Sequence, residues 1–83
     1  MDFPQLPLEV LRTMKRQEDA PHQPRSLHQR LDSHPAFLDL TPVDVLLALQ
    51  QLETQQLVLS YQDHLSAQQV WKLTPLGKLH APK

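Results

Sequence analysis

The chain has 83 residues, 40% hydrophobic and 20% charged, a composition that suits one small globular domain with a thin core and leaves no room for a second. It has no Cys, which excludes a disulfide framework, a thiolate zinc site, a cysteine nucleophile and thiol redox chemistry, and makes a cytoplasmic home the default expectation. The net charge of −1 provides no global pull toward phosphate, and no run reaches the roughly 18 apolar residues of a membrane span, so a soluble protein without a membrane partner is expected.

Pro4 and Pro7 make residues 1–6 an expected extended arm, and Pro7 is tolerated in the first turn of the helix that follows. That helix is predicted from Pro7 to about Glu18. Leu8, Leu11 and Met14 fall at helical spacing, Glu9 sits near the start, and Arg12, Lys15 and Arg16 sit near the end, as the macrodipole favours. Residues 19–25 hold Pro21 and Pro24 in a polar stretch and are predicted to be a loop without a regular element. Ser26 and Gln29 have capping-box spacing, so the second helix is predicted from Ser26 to about His34, with Leu27 and Leu31 inward and Pro35 as its stop. In the link that follows, Phe37 is an expected core anchor, being one of two Phe in a small domain.

Thr41-Pro42-Val43-Asp44 combines an N-cap Thr, a Pro at the first helical position and an acid at the third, and predicts a third helix to about Gln55 or Gln56. Leu57–Tyr61 and Gln69–Leu73 are rich in strand-forming residues and predict a hairpin joined by the polar stretch 62–68. Thr74-Pro75 repeats the helix-start pattern and predicts a short last helix carrying Leu76 and Leu79. The expected fold class is therefore α+β, mainly α: a three-helix core, a β-hairpin wing and a short C-terminal helix, which is the winged-helix order, in a single domain spanning 1–83.

Two stretches carry a family likeness. Val45 to Val58, with Leu49, Leu52, Glu53 and Leu57-Val58, resembles the recognition helix and strand entry of MarR-like and PadR-like transcriptional regulators. Trp71-Lys72-Leu73-Thr74-Pro75-Leu76-Gly77 is similar to the Y-x-L-T-x-x-G segment that closes the wing in those families. Counted from Val45 to Gly77, the likeness spans about two fifths of the chain. The resemblance implies a winged helix-turn-helix that binds double-stranded DNA and regulates transcription. Gln56 stands where those families usually have Gly, which suits the left-handed turn ending the helix, so a longer or strained turn is expected there. The chain also ends soon after Gly77, without the long helices by which those families usually dimerise, so their dimeric mode of operator binding does not carry over.

For a DNA-binding winged helix, the expected contacts are Thr41, Asp44, Leu47, Gln50 and Gln51 toward the groove, with Arg25, His28, Arg30 and the wing, including His64, near phosphates. Local composition complicates this. On the third helix, Val45, Ala48, Leu49 and Leu52 share the face matching the family core, while Val43, Leu46, Leu47 and Gln50 fall on the other side, and no Lys or Arg occurs from Thr41 to Gln56. The predicted wing, 62–68, has an acid, one His and no fixed positive charge. Arg12, Lys15, Arg16, Arg25 and Arg30 cluster instead around the first two helices, and read either as a solvated face or as a phosphate patch. The alternative function is a protein-contact module or homodimer using Val43, Leu46, Leu47 and Gln50, unless Phe37, Leu38, Leu40 or the arm folds over the leucines.

His22, His28 and His34 recur every six residues, a spacing that does not stack side chains on a helix, so they are expected at the surface and no metal site is expected. A single Gly excludes a glycine-rich phosphate loop, no nucleophile elbow is present, and neither an enzyme nor a cofactor is expected. Trp71 shares one side of its strand with Leu73 and is expected in the core rather than as a base-stacking platform.

Overall fold

The structure, a computed structural model, describes residues 4–17, 20–37 and 39–81, and of Ala36 the backbone alone. Among them the chain forms a small, mainly helical α+β domain. Its elements are helix α1 (Leu6–Lys15), helix α2 (Pro24–Leu31), a 3-10 turn (Pro35–Phe37), helix α3 (Pro42–Thr54), strands β1 (Val58–Gln62) and β2 (Gln69–Leu73), and helix α4 (Pro75–His80).

Helix starts follow proline throughout. At α3 the predicted device is complete: Thr41 Oγ1 accepts the Asp44 N–H at 3.3 Å, Asp44 Oδ2 accepts the Thr41 N–H at 2.9 Å, and Pro42 opens the helix. At α4, Thr74 Oγ1 accepts the Gly77 N–H at 3.0 Å, with Pro75 next in line. For α2 the expectation needs correcting, because the Ser26 and Gln29 capping box does not open the helix. It begins at Pro24 after an extended Gln23 that makes no side-chain cap. Proline's fixed φ and missing N–H suit the first helical position, so the residue read as a breaker is the one that starts the helix. The same helix ends earlier than predicted, with Asp32 as its C-cap, and Pro35 opens the 3-10 turn. Likewise α1 begins at Leu6, which is buried rather than part of an arm. Residues 1–3 of that arm, and Glu18 at the predicted helix end, lie outside the described residues.

One apolar face from each of α1, α2 and α3 meets the other two helices, and α1 and α3 also meet the sheet. Val10 and Met14, Leu27, and Val45 and Leu49 are fully enclosed, and they join Phe37, Trp71 and Leu73 in one continuous cluster. Complete burial of each such side chain stabilises the domain by roughly 1.5–3 kcal/mol, which is what holds three short helices together. Phe37 and Trp71 are both core residues, as expected.

The strands pair antiparallel, with Val58 opposite Leu73 and Ser60 opposite Trp71. A third participant corrects the loop predicted at 19–25. His22 donates its N–H to the Trp71 carbonyl and accepts the Trp71 N–H, both at 2.8 Å. Prolines at 21 and 24 withhold their own N–H groups and prevent a longer strand, but His22 keeps both of its backbone groups. This single bridge fastens the connection between α1 and α2 to one edge of β2. At the opposite edge of the sheet, the Ser60 N–H turns away from β2 and donates to Glu53 Oε2 at 3.0 Å.

The turn from α3 into β1 is the ordinary helix ending, made with an unusual residue. Gln56 has φ 64°, its N–H donates to the Glu53 carbonyl at 2.9 Å, and the Leu57 N–H donates to the Leu52 carbonyl at 3.0 Å. That is the Schellman pattern with Gln in the place that favours Gly, so the turn is strained but not longer. Thr74 then locks the C-terminal segment onto this turn. Its Oγ1 donates to the Gln56 carbonyl at 2.7 Å and its N–H to the Leu57 carbonyl at 3.1 Å. Gly77 packs so closely on Leu57 that a Cβ there would lie 1.9 Å from the Leu57 oxygen.

Candidate functional site

Helix α3 is held by the core on one side and capped at both ends, so its outer side is a rigid, solvent-facing stripe. At about 100° per residue, Val43, Leu47, Gln50 and Thr54 line that stripe, with Gln51 at its flank. All five are exposed, Val43 at 62% and Leu47 at 58%. Leu46 differs from its predicted place: it is half-buried and packs against the core cluster. The expected pair of bare adjacent leucines is therefore one bare leucine beside a bare valine one turn away.

Two residues expected at the groove are engaged in the cap. Besides the two capping-box bonds, the Thr41 hydroxyl donates to Asp44 Oδ2 at 2.9 Å. These bonds, the backbone one first, hold the Asp44 carboxyl below the usual carboxylate range. The other acid of the helix is engaged as well, since Glu53 Oε2 also accepts the Ser60 Oγ–H at 2.6 Å. Thr54 spends its hydroxyl on the Gln50 carbonyl at 3.0 Å.

Residues expected near phosphates are divided between the two sides of α2. His28 is half-buried with Nε2 2.7 Å from the Leu40 carbonyl, and since a carbonyl only accepts, that nitrogen carries the proton. His28 thus ties α2 to the entry of α3. Arg30 is exposed but points toward the turn that follows α1, where Nη2 donates to Gln17 Oε1 at 2.9 Å. Arg25 is exposed in the first turn of α2. Of the cations on α1, Arg12 is paired with Glu9 at 3.0 Å, a surface contact worth a few tenths of a kcal/mol.

The loop between β1 and β2, predicted as a wing, folds on itself. The Asp63 N–H donates to the Gln68 carbonyl at 2.9 Å, the Ala67 N–H to the Asp63 carbonyl at 2.8 Å, and Ser66 Oγ to Asp63 Oδ2 at 2.8 Å. The Ser66 bond is the main cause that keeps the Asp63 carboxyl below its ordinary value. His64 is exposed beside it, and Leu65 at the tip is 98% exposed.

The surface reading of the histidines needs one correction. His22 is 3% exposed, closed in by the bridge to Trp71, with Nε2 3.2 Å from the Gln17 carbonyl. Burial lowers its pKa, the Gln17 hydrogen bond opposes that, and the nearby Arg30 charge adds to the lowering. Spacing along the chain carries no signal of this, because the burial comes from pairing with Trp71, 49 residues later. His34 is exposed, its ring centroid 5.1 Å from that of Phe37.

No family model, curated protein or solved structure matches this chain. Among the described residues no group of three or more His, Cys, Asp or Glu is placed to hold a metal ion, and no helix is long and apolar enough to cross a membrane.

Proposed function

We propose that the chain is a winged-helix domain that binds double-stranded DNA, with α3 as the helix that enters the major groove. The observation that carries this is the outer stripe of α3, where Val43, Leu47, Gln50 and Gln51 project from a helix fixed at both ends and backed by the core. The element order supports it: α1, the His22 bridge, α2, α3 and then the β1–β2 hairpin form a helical trio flanked by a small sheet, with the 63–68 loop as wing. Arg25 supplies a phosphate contact at the start of α2. Fixed positive charge is sparse around α3, so this reading predicts a shallow salt dependence.

The test is a salt series of binding to a labelled generic duplex. Each phosphate contact adds about −0.9 to the slope of log affinity against log salt, so a slope of about −1 to −3 is expected, reduced by about one on Arg25→Ala. No binding at low salt contradicts the reading.

A second reading is favoured by the bare Val43 and Leu47 side chains and by the absence of Lys and Arg from the wing: α3 is a contact surface for a protein, including a second copy of this chain. Sedimentation of the wild type and of Leu47→Glu tests it. A wild-type dimer that Leu47→Glu dissociates supports this reading; a monomeric wild type contradicts its homodimeric form.

A further inference from the structure

We infer that the duplex taken by α3 is A·T-rich, an inference that rests on the DNA-binding reading above and deepens it. In the major groove each base asks for a different side chain. Guanine presents two acceptors and calls for Arg or Lys, cytosine presents an amino donor and calls for a carboxylate, adenine presents a donor and an acceptor that suit Gln or Asn, and thymine presents a methyl group for apolar contact.

Helix α3 lacks the first and holds the second to partners within the domain. No Lys or Arg lies between Thr41 and Gln56, so the guanine edge has no bidentate donor on this helix. Each of its carboxylates has one oxygen held within the domain, Asp44 Oδ2 by the N–H and hydroxyl of Thr41 and Glu53 Oε2 by the N–H and hydroxyl of Ser60, which keeps both side chains turned to these partners. Turning either side chain fully out to cytosine would break a helix cap or uncover the edge of β1. Thr54 is likewise committed to the Gln50 carbonyl.

What remains on the outer side is Gln50 and Gln51, whose exposed amides match adenine, and Val43 and Leu47, whose exposed methyl groups match thymine. Val43 and Leu47 are one turn apart on the stripe, and Gln50 follows at the next step. The four project together, so they meet neighbouring base pairs and not scattered ones.

The experiment measures binding of the wild-type chain to two labelled duplexes of equal length and identical flanks. One has a centre of mixed A and T without A-tracts, so that a narrow minor groove is not what is read, and the other a centre of mixed G and C. The A·T duplex is expected to bind at least about fivefold more tightly, the lower end for one good bidentate contact. The double variant Gln50→Ala, Gln51→Ala is expected to lower the ratio, Val43 and Leu47 keeping the thymine contacts, while leaving the salt slope unchanged, because glutamines do not neutralise phosphates. Equal binding to both duplexes, a preference for G·C, or an A·T preference that the double variant does not reduce overturns the inference and leaves the DNA reading standing. Binding to neither duplex at low salt overturns the DNA reading and the inference with it.

Discussion

A single oxygen of Glu53 accepts two hydrogen bonds from Ser60, one from the backbone N–H at 3.0 Å and one from the hydroxyl at 2.6 Å. The contact joins the last turns of α3 to β1 and occupies an N–H that would otherwise be open at the sheet edge, where unpaired backbone groups invite pairing with another chain. Glu53→Ala is therefore expected to cost about 1.5–3 kcal/mol, the range for hydrogen bonds to charged groups, and Ser60→Ala about 1 kcal/mol, because the backbone bond survives. Urea denaturation of the two variants distinguishes them. Equal losses would mean that the backbone bond contributes nothing.

The left-handed Gln56 and the crowded Gly77 face each other across the Leu57 carbonyl and respond oppositely to substitution. Relief of a left-handed conformation is worth roughly 1–2 kcal/mol, and the added chain freedom of Gly offsets about 0.4–1 kcal/mol of it. Gln56→Gly should thus raise stability by about 0.5–1 kcal/mol, visible as a higher midpoint in thermal unfolding. Gly77→Ala should lower stability by about 1–3 kcal/mol or more, since its Cβ would meet backbone and not a side chain that can turn aside.

His22 gives stability a dependence on pH whose sign follows from its burial. The fold favours the neutral ring, so the unfolded chain takes up a proton near the ordinary value of about 6.5 while the folded chain does not until lower pH. The contribution of neutral His22 is complete above about 6.5 and is lost as pH falls from there through the lowered folded value. Unfolding free energies measured from about pH 7.5 down to about 5 should decline, and His22→Gln should flatten that decline. An unchanged pH slope in the variant would remove His22 as the cause.

Much of this fold was legible because local chemistry decided it. Thr41-Pro42-Val43-Asp44 and Thr74-Pro75 start helices by satisfying or removing backbone donors within four residues, and both helices begin where those residues lie. The start of α2 differs for a local reason, proline opening a helix as readily as it breaks one, whereas the other differences arise where a distant partner decides the outcome. His22 looked like a surface loop residue because nothing near it reveals Trp71, and His28 looked available for phosphate because nothing near it reveals the Leu40 carbonyl. Leu46 looked as exposed as Leu47 because a helical wheel divides a helix into two faces, whereas the core reaches partway around the flank. The Gln56 substitution was visible as a departure from a glycine position, and its strain followed from backbone sterics alone.

The most direct test of the central claim is the change in backbone amide resonances when a short duplex with an A·T centre is added to the labelled chain at low salt. The largest changes are expected on Val43, Leu47, Gln50 and Gln51 of α3, with smaller ones at Arg25, while the core positions Val10 and Leu49 stay in place. Changes absent throughout, or confined to the sheet and α4 while α3 is unmoved, would contradict it.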